Sequence, residues 1–220
     1  MKFFKTPFPQ EILMTPLEVI FKKFEKKVEV KEILSTTNWY KAIRCRTGDK
    51  EFGIVFSRTC ELAGDCLLFL KEAGVRKVLF AGFAGSINPE IKPGEVCTLY
   101  QWAGGKSFSH FFKKDIARKI KKEKIRTFFN SVQNFKKAKV YTIPSLFFEE
   151  KLVRIFKEKD FDLLDMETAH VVRAAQNINL KFLYLVTDIN PVRCLLSNGV
   201  NSLFEKIKFE KIIEPCLKLV

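Results

Sequence analysis

Hydrophobic and polar positions along the chain switch repeatedly between a period of two and a period near 3.6. Glu11 to Thr15 encloses the apolar run Ile12-Leu13-Met14, which predicts a first strand. Thr15-Pro16 then reads as a helix start, with Thr as N-cap, Pro at the first helical position and Glu18 in the first turn. Leu17, Ile20, Phe21 and Phe24 share one face of that helix, which is expected to run to about Lys27. Val28 to Leu34 alternates as a strand does. Trp39–Arg46 and Glu51–Ser57 flank Thr47-Gly48-Asp49-Lys50 and predict a hairpin with Gly in the turn. Glu61–Ala73 is amphipathic and closed by Gly74. Arg76–Ala81 is a core strand that runs into the small-residue segment Gly82-Phe-Ala-Gly85-Ser86, read as a turn that lets a ligand approach the backbone.

Val96–Trp102 and Ala138–Ile143 are further strands, and Glu149–Lys159 is a helix. Apolar or small residues at Met166, Ala169, Val172 and Ala175 predict a helix opened by the carboxylates Asp165 and Glu167. Phe182–Val186 is a continuous apolar run, as in a parallel strand covered on both faces, and it leads to Thr187 and Asp188. Asn190-Pro191 ends it, and Ser202 to about Leu219 is a last helix, broken near Pro215. Strands alternate with helices almost throughout, without repeats or low-complexity linkers, so residues 1–220 are expected to form one α/β domain.

Composition narrows the classes. Hydrophobic residues make up 47% of the 220, enough for a sizeable core and against disorder. No apolar run approaches the ~20 residues of a membrane span, and the first residues do not make a signal peptide. The six cysteines are dispersed without a Cys-x-x-Cys pair, which predicts reduced, mostly buried thiols in a cytoplasmic protein. The net charge of +14 raises a polyanionic partner, but its densest stretch, Lys113–Arg126, places Ile116, Ile120 and Ile125 on one stripe and reads as a solvated helix face. No nucleic-acid motif accompanies it. His110 and His170 lack metal-ligand spacing, so no metal is expected, and His170 reads as a packed or capping side chain.

Candidate chemistry lies in the carboxylates. An acid at the end of a buried strand, Asp188, sits where open α/β sheets place ligands. Such an acid is also a common turn former or helix cap. Asp165 and Glu167 equally suit a helix N-terminus, as does Glu18, which is either a first-turn acid complementing the helix dipole or a base at the mouth of the sheet.

Three segments, in order, resemble the nucleoside phosphorylase and nucleosidase superfamily. They are Phe80-Ala-Gly82-Phe-Ala-Gly85-Ser-Ile-Asn-Pro with Lys92-Pro-Gly94-Glu95-Val, then Asp165-Met166-Glu167-Thr168-Ala169, then Val186-Thr187-Asp188. Thr15-Pro16-Leu17-Glu18 looks like the opening of the hydrolytic branch, the 5′-methylthioadenosine/S-adenosylhomocysteine nucleosidases and their relatives. The resemblance covers nearly the whole chain. It implies a three-layer domain with a mixed central sheet and helices on both faces, no cofactor, a purine nucleoside as substrate with phosphate as the alternative to water, and a homo-oligomer. It assigns Met166 and Glu167 to the ribose, Phe147 or Phe148 to the base, Asp188 with Thr187 to the purine N7, Glu18 to the attacking water, and Gly82 and Gly85 to backbone approach. Three positions depart from the family pattern. Phe80 stands where small-subunit phosphorylases carry a phosphate-binding Arg. Phe83 stands where hydrolytic relatives often have Ser, and Tyr184 where they carry Arg. The expected activity is hydrolytic release of a purine base, with phosphorolysis, or a nucleoside-binding protein of the same fold without catalysis, as the alternatives.

Overall fold

The run Ile12-Leu13-Met14 forms the buried strand β1 (Glu11–Thr15), all three side chains being inaccessible to solvent. The computed structural model describes residues 7–37, 39–145, 148–189 and 208–220. These residues fall into two compact units. The first comprises residues 1–82, 170–183 and 212–220, and the second residues 83–169 and 184–211.

In the first unit, β1 is followed by α1 (Glu18–Glu25), β2 (Glu29–Thr36), β3 (Lys41–Thr47), β4 (Lys50–Phe56), α2 (Glu61–Glu72) and the first half of β5 (Lys77–Ser86). β1 lies between β4 and β5, parallel to both, and β4, β3 and β2 continue outward in antiparallel order. Thr47 pairs with Lys50, which leaves Gly48-Asp49 as a two-residue hairpin loop. Gly48 has φ +58°, and Asp49 is not left-handed, the pattern of a II′ turn. Gly74 (φ +99°) closes α2, its N–H donating to Lys71 O at 3.1 Å. One expectation fails here. Thr15 ends β1 rather than capping α1, whose N-cap is Leu17; the Thr15 hydroxyl instead accepts the Leu17 N–H at 3.3 Å.

The second unit holds the end of β5, β6 (Val96–Gly104), α3 (Phe108–Phe111), α4 (Ile116–Lys122), β7 (Arg126–Thr127), β8 (Lys136–Thr142), α5 (Glu149–Glu158) and β9 (Leu163–Asp165). Helix α6 (Thr168–Ala174) begins there, and β10 (Asn179–Ile189) returns to it after Leu183. The strand order is β10-β6-β8-β9-β5, with β7 beside β6; β6, β8 and β9 are parallel, while β10 and β5 run antiparallel to their neighbours β6 and β9. Because β5 and β10 each run through both units, the chain carries one mixed α/β sheet. The last helix, α7 (Glu210–Leu219), contains Pro215 without breaking, and residues 202–207 of its expected span lie outside the described ones. Among the described residues no helix is long and apolar enough to cross a membrane.

An aromatic core fills the second unit. Phe111, Tyr141, Phe148, Phe156 and Phe161 are buried with Ile116, Ile120 and Leu164, and Met166 packs against them. Tyr141 lies with its ring centroid 4.6 Å from that of Phe156 and 5.1 Å from that of Phe161. Helix α4 buries only Ile116 and Ile120 and stops at Lys122, shorter than the expected 113–126. Lys159 ends it, its ammonium donating to the carbonyls of Ile120, Lys121 and Glu123 at 3.2, 2.8 and 2.7 Å, so all three protons are used on orphan carbonyls. Arg126 belongs to β7 and stacks over Trp102 at 4.8 Å.

Candidate active site

Two expectations about the site are corrected by backbone geometry. Gly82–Ser86 is not a turn but the end of β5, held by pairing of Gly85 with Leu164 and Ser86 with Leu163. Gly82 serves packing within the strand. Phe80 and Gly82 point to one face, and a Cβ on Gly82 would meet the Phe80 ring at 2.9 Å. Asp165 does not open a helix; it ends β9, beside Thr142 of β8, and the helix begins at Thr168. A three-residue strand gives too little periodicity to be seen in sequence.

The turn between β9 and α6 carries Met166 and Glu167, and Asp165 holds it shut. Its Oδ1 accepts the Thr142 hydroxyl at 2.7 Å. Its Oδ2 accepts the Thr168 N–H at 2.7 Å, the Thr168 hydroxyl, and the Glu167 N–H at 3.4 Å. A carboxylate offers about two acceptor positions on each oxygen; here three donors gather on Oδ2 and one on Oδ1. Thr142 also accepts the Ala169 N–H at 2.9 Å, so the first turn of α6 is capped from β8 as well as from β9. Beyond Thr168 stands Tyr184 of β10, fully buried, with its hydroxyl 2.5 Å from the Thr168 hydroxyl.

Burial shifts the acids of this network. Asp165 is pushed above the usual carboxylate range, first by loss of solvent, against the pull of its Thr168 and Thr142 hydrogen bonds. The Tyr184 phenol is pushed well above 10 by burial and then by the Asp165 charge, so it stays a donor. Glu167 is 5% exposed. Asp188, near the end of β10, is 2% exposed and accepts the Thr187 hydroxyl on Oδ1 at 2.6 Å. Thr187 also lies 3.4 Å from the Ala84 carbonyl; having one proton, it favours the shorter contact with Asp188.

The structure thus places Met166, Glu167, Thr187, Asp188 and Gly85 in the second unit. Glu18 and Gly82 belong to the first unit. Glu18 is a half-exposed carboxylate 2.7 Å from Lys41 and 3.3 Å from Lys22, and those two ammonium groups hold its pKa below the ordinary value. Phe147 lies outside the described residues, while Phe148 is buried between Phe111 and Phe112, with centroids 4.9 and 5.4 Å away. Phe80 is fully buried against Phe182 at 5.3 Å, and Phe83 packs against Phe209 at 5.9 Å. Thr142 and Thr168 were not foreseen; the Thr168 hydroxyl, one residue after Glu167 at a helix start, was the signal for one of them. Among the described residues five cysteines are free, and burial raises the thiols of Cys45 and Cys97 to about 12 and about 11. Among the described residues no three His, Cys, Asp or Glu side chains converge to hold a metal.

Comparison with known proteins gives a family and a fold. Residues 65–194 match the phosphorylase superfamily. The structure is similar to that of the P. knowlesi homolog of P. falciparum PNP, with a TM-score of 0.66 and 16% identity over 100% of this chain and 93% of that one. It is also similar to the purine nucleoside phosphorylase from Toxoplasma gondii in complex with immucillin-H, with a TM-score of 0.68 and 16% identity over 96% of this chain and 90% of that one. No curated protein sequence matches the chain.

Proposed function

The chain belongs to the phosphorylase superfamily, and from that premise we propose that it cleaves the N-glycosidic bond of a purine nucleoside by hydrolysis. The observation that carries the reading is the buried Thr187–Asp188 pair near the end of β10. Glycosidic cleavage builds positive charge on the sugar and needs a proton for the leaving base. A hydroxyl donating to Oδ1 leaves the acid's own proton to Oδ2, from which Asp188 protonates the purine N7. Glu167 accepts the ribose hydroxyls, and its charge favours the oxocarbenium-like sugar. Met166 packs against the sugar, and Gly85 admits the ligand near the backbone. Glu18 activates the water; its ion pairs with Lys41 and Lys22 lower its pKa and so weaken it as a base.

Support for water over phosphate comes from Phe80, an inaccessible ring packed on Phe182 at the strand position where small-subunit phosphorylases carry Arg. Phosphorolysis is the second reading, and the phosphorylase names of the two similar structures favour it. A panel of purine nucleosides assayed for free base with and without phosphate decides between them. Release in phosphate-free buffer is expected; release that depends on added phosphate would sink the hydrolytic reading.

A further inference from the structure

We propose that Tyr184 is a positioning residue for this reaction: its hydroxyl, acting through Thr168 and Asp165, fixes the Met166–Glu167 turn relative to Asp188 on the same strand. The inference rests on the reading above for what Glu167 and Asp188 do, but its geometry is independent of that reading. Thr168 has one hydroxyl proton, and it goes to Asp165 Oδ2. The 2.5 Å contact with Tyr184 must then be a bond donated by the tyrosine. With Asp165 ionised, the directions are therefore fixed from Tyr184 to Thr168 to Asp165, with Thr142 donating to the opposite carboxylate oxygen. The side chains of Thr142, Thr168 and Tyr184 are all inaccessible to solvent. Water therefore does not substitute for any of them.

The network links two elements by hydrogen bonds. Asp165 belongs to β9 and Thr168 to α6, so their bonds close the turn on itself. Tyr184 belongs to β10, the strand that ends in the Thr187–Asp188 pair. Alternation puts residues 184, 186 and 188 on one face, with Asp188 about 13 Å of strand beyond Tyr184 (four residues at about 3.3 Å each). The hydroxyl of Tyr184 thus ties the turn bearing the sugar-side carboxylate to the strand bearing the base-side acid. Two groups that act on one bond must keep their separation to within a fraction of an ångström, and a misplacement of about 1 Å costs as much as a hundredfold in rate.

The test is a set of variants, Tyr184→Phe, Thr168→Val, the double variant and Thr168→Ser, assayed for base release from adenosine and inosine beside the wild-type protein, with thermal melting of each. Tyr184→Phe is expected to lower kcat roughly tenfold to a hundredfold while KM stays within about threefold. Thr168→Ser keeps the hydroxyl and should restore most of the rate lost in Thr168→Val. The double variant should be no slower than the slower single variant, because both break one chain of bonds. A folded Tyr184→Phe protein with kcat within twofold of wild type, or a double variant whose losses multiply, overturns the positioning role and leaves nucleoside cleavage standing. Wild-type protein that releases no base overturns both.

Discussion

Replacing Asp165 by Ala removes the acceptor on which one turn of the second unit closes. The donors left behind are the Thr142 hydroxyl and the Thr168 N–H, each at 2.7 Å, the Thr168 hydroxyl, and the Glu167 N–H at 3.4 Å. Both threonines are inaccessible to solvent. Each buried donor without a partner costs about 1–3 kcal/mol. Removal of the carboxylate also relieves its own desolvation, so the sum is offset, and breaking a buried charged network typically costs about 3–5 kcal/mol net. That is a large part of a stability of about 5–15 kcal/mol, and at about 2–4 °C per kcal/mol for a chain of this size it lowers Tm by roughly 6–20 °C. Urea unfolding followed by far-UV circular dichroism measures it as a fall in midpoint at constant slope. Asp165→Asn should cost less, because its amide can donate to Thr142, whose hydroxyl can turn to accept, while its carbonyl still accepts from Thr168. The Asn variant also isolates a pH effect. The folded pKa of Asp165 is raised above the unfolded value of about 3.9. The folded protein therefore binds this proton where the unfolded chain does not, and the group favours folding more as pH falls through the folded value toward the unfolded one. The stability of wild type minus that of Asp165→Asn should rise on acidification from neutral pH. A loss below about 1 kcal/mol in Asp165→Ala, or a difference that shrinks on acidification, would refute the account of the turn.

Gly104 has φ +93°, and a Cβ there would lie 2.3 Å from the Thr142 carbonyl oxygen, a backbone atom that cannot swing aside. Gly104→Ala should cost about 2–4 kcal/mol, whereas Gly48→Ala, left-handed at +58° but with nothing within 4 Å, should cost only about 1–2 kcal/mol; equal melting temperatures for the two variants would contradict this. Asp188→Asn should lower the rate of base release by about 10²–10⁴ with Tm within a few degrees of wild type, and near-wild-type turnover would remove Asp188 from the mechanism.

The elements legible in sequence are those whose side chains repeat long enough to show a period or whose ends carry a glycine with one steric job. The hairpin at Gly48, the closure of α2 at Gly74 and the buried run of β10 were all visible for that reason. The misread places are short or satisfied from afar. Gly82–Gly85 looked like a turn, because small residues after a strand usually mark one; its backbone is instead taken up by β9, whose three residues show no pattern of their own. Thr15 looked like a cap by local rule, yet the strand continues through it, pairing with Phe56. At the site, Asp188 stands out in the sequence because it follows a buried apolar run, and Glu167 because Asp165-Met166-Glu167-Thr168-Ala169 resembles a superfamily motif. The division of labour between Asp165 and Glu167 could not be read there. It depends on Thr142 from β8 and Tyr184 from β10, and no spacing along the chain encodes those neighbours.

Asp165 and Glu167 sit two residues apart, but they are not interchangeable. Four donors from Thr142, Thr168 and the Glu167 backbone commit the Asp165 carboxylate to holding the turn. The proposed sugar contact therefore falls to Glu167. The identity of residue 184 then decides the electrostatics around it. A guanidinium beside Asp165 would compensate its charge and draw its pKa down. Tyr184 satisfies the same network through a neutral hydroxyl, and its buried phenol resists ionisation. The charge of an ionised Asp165 is thus stabilised by hydrogen bonds but not cancelled by residue 184. Uncancelled negative charge beside the sugar side of the site favours a transition state in which the sugar turns positive. Phe80 leaves no cation at the strand position where small-subunit phosphorylases carry Arg, whereas Tyr184 departs from the Arg of hydrolytic relatives, so the two substitutions do not point to the same nucleophile.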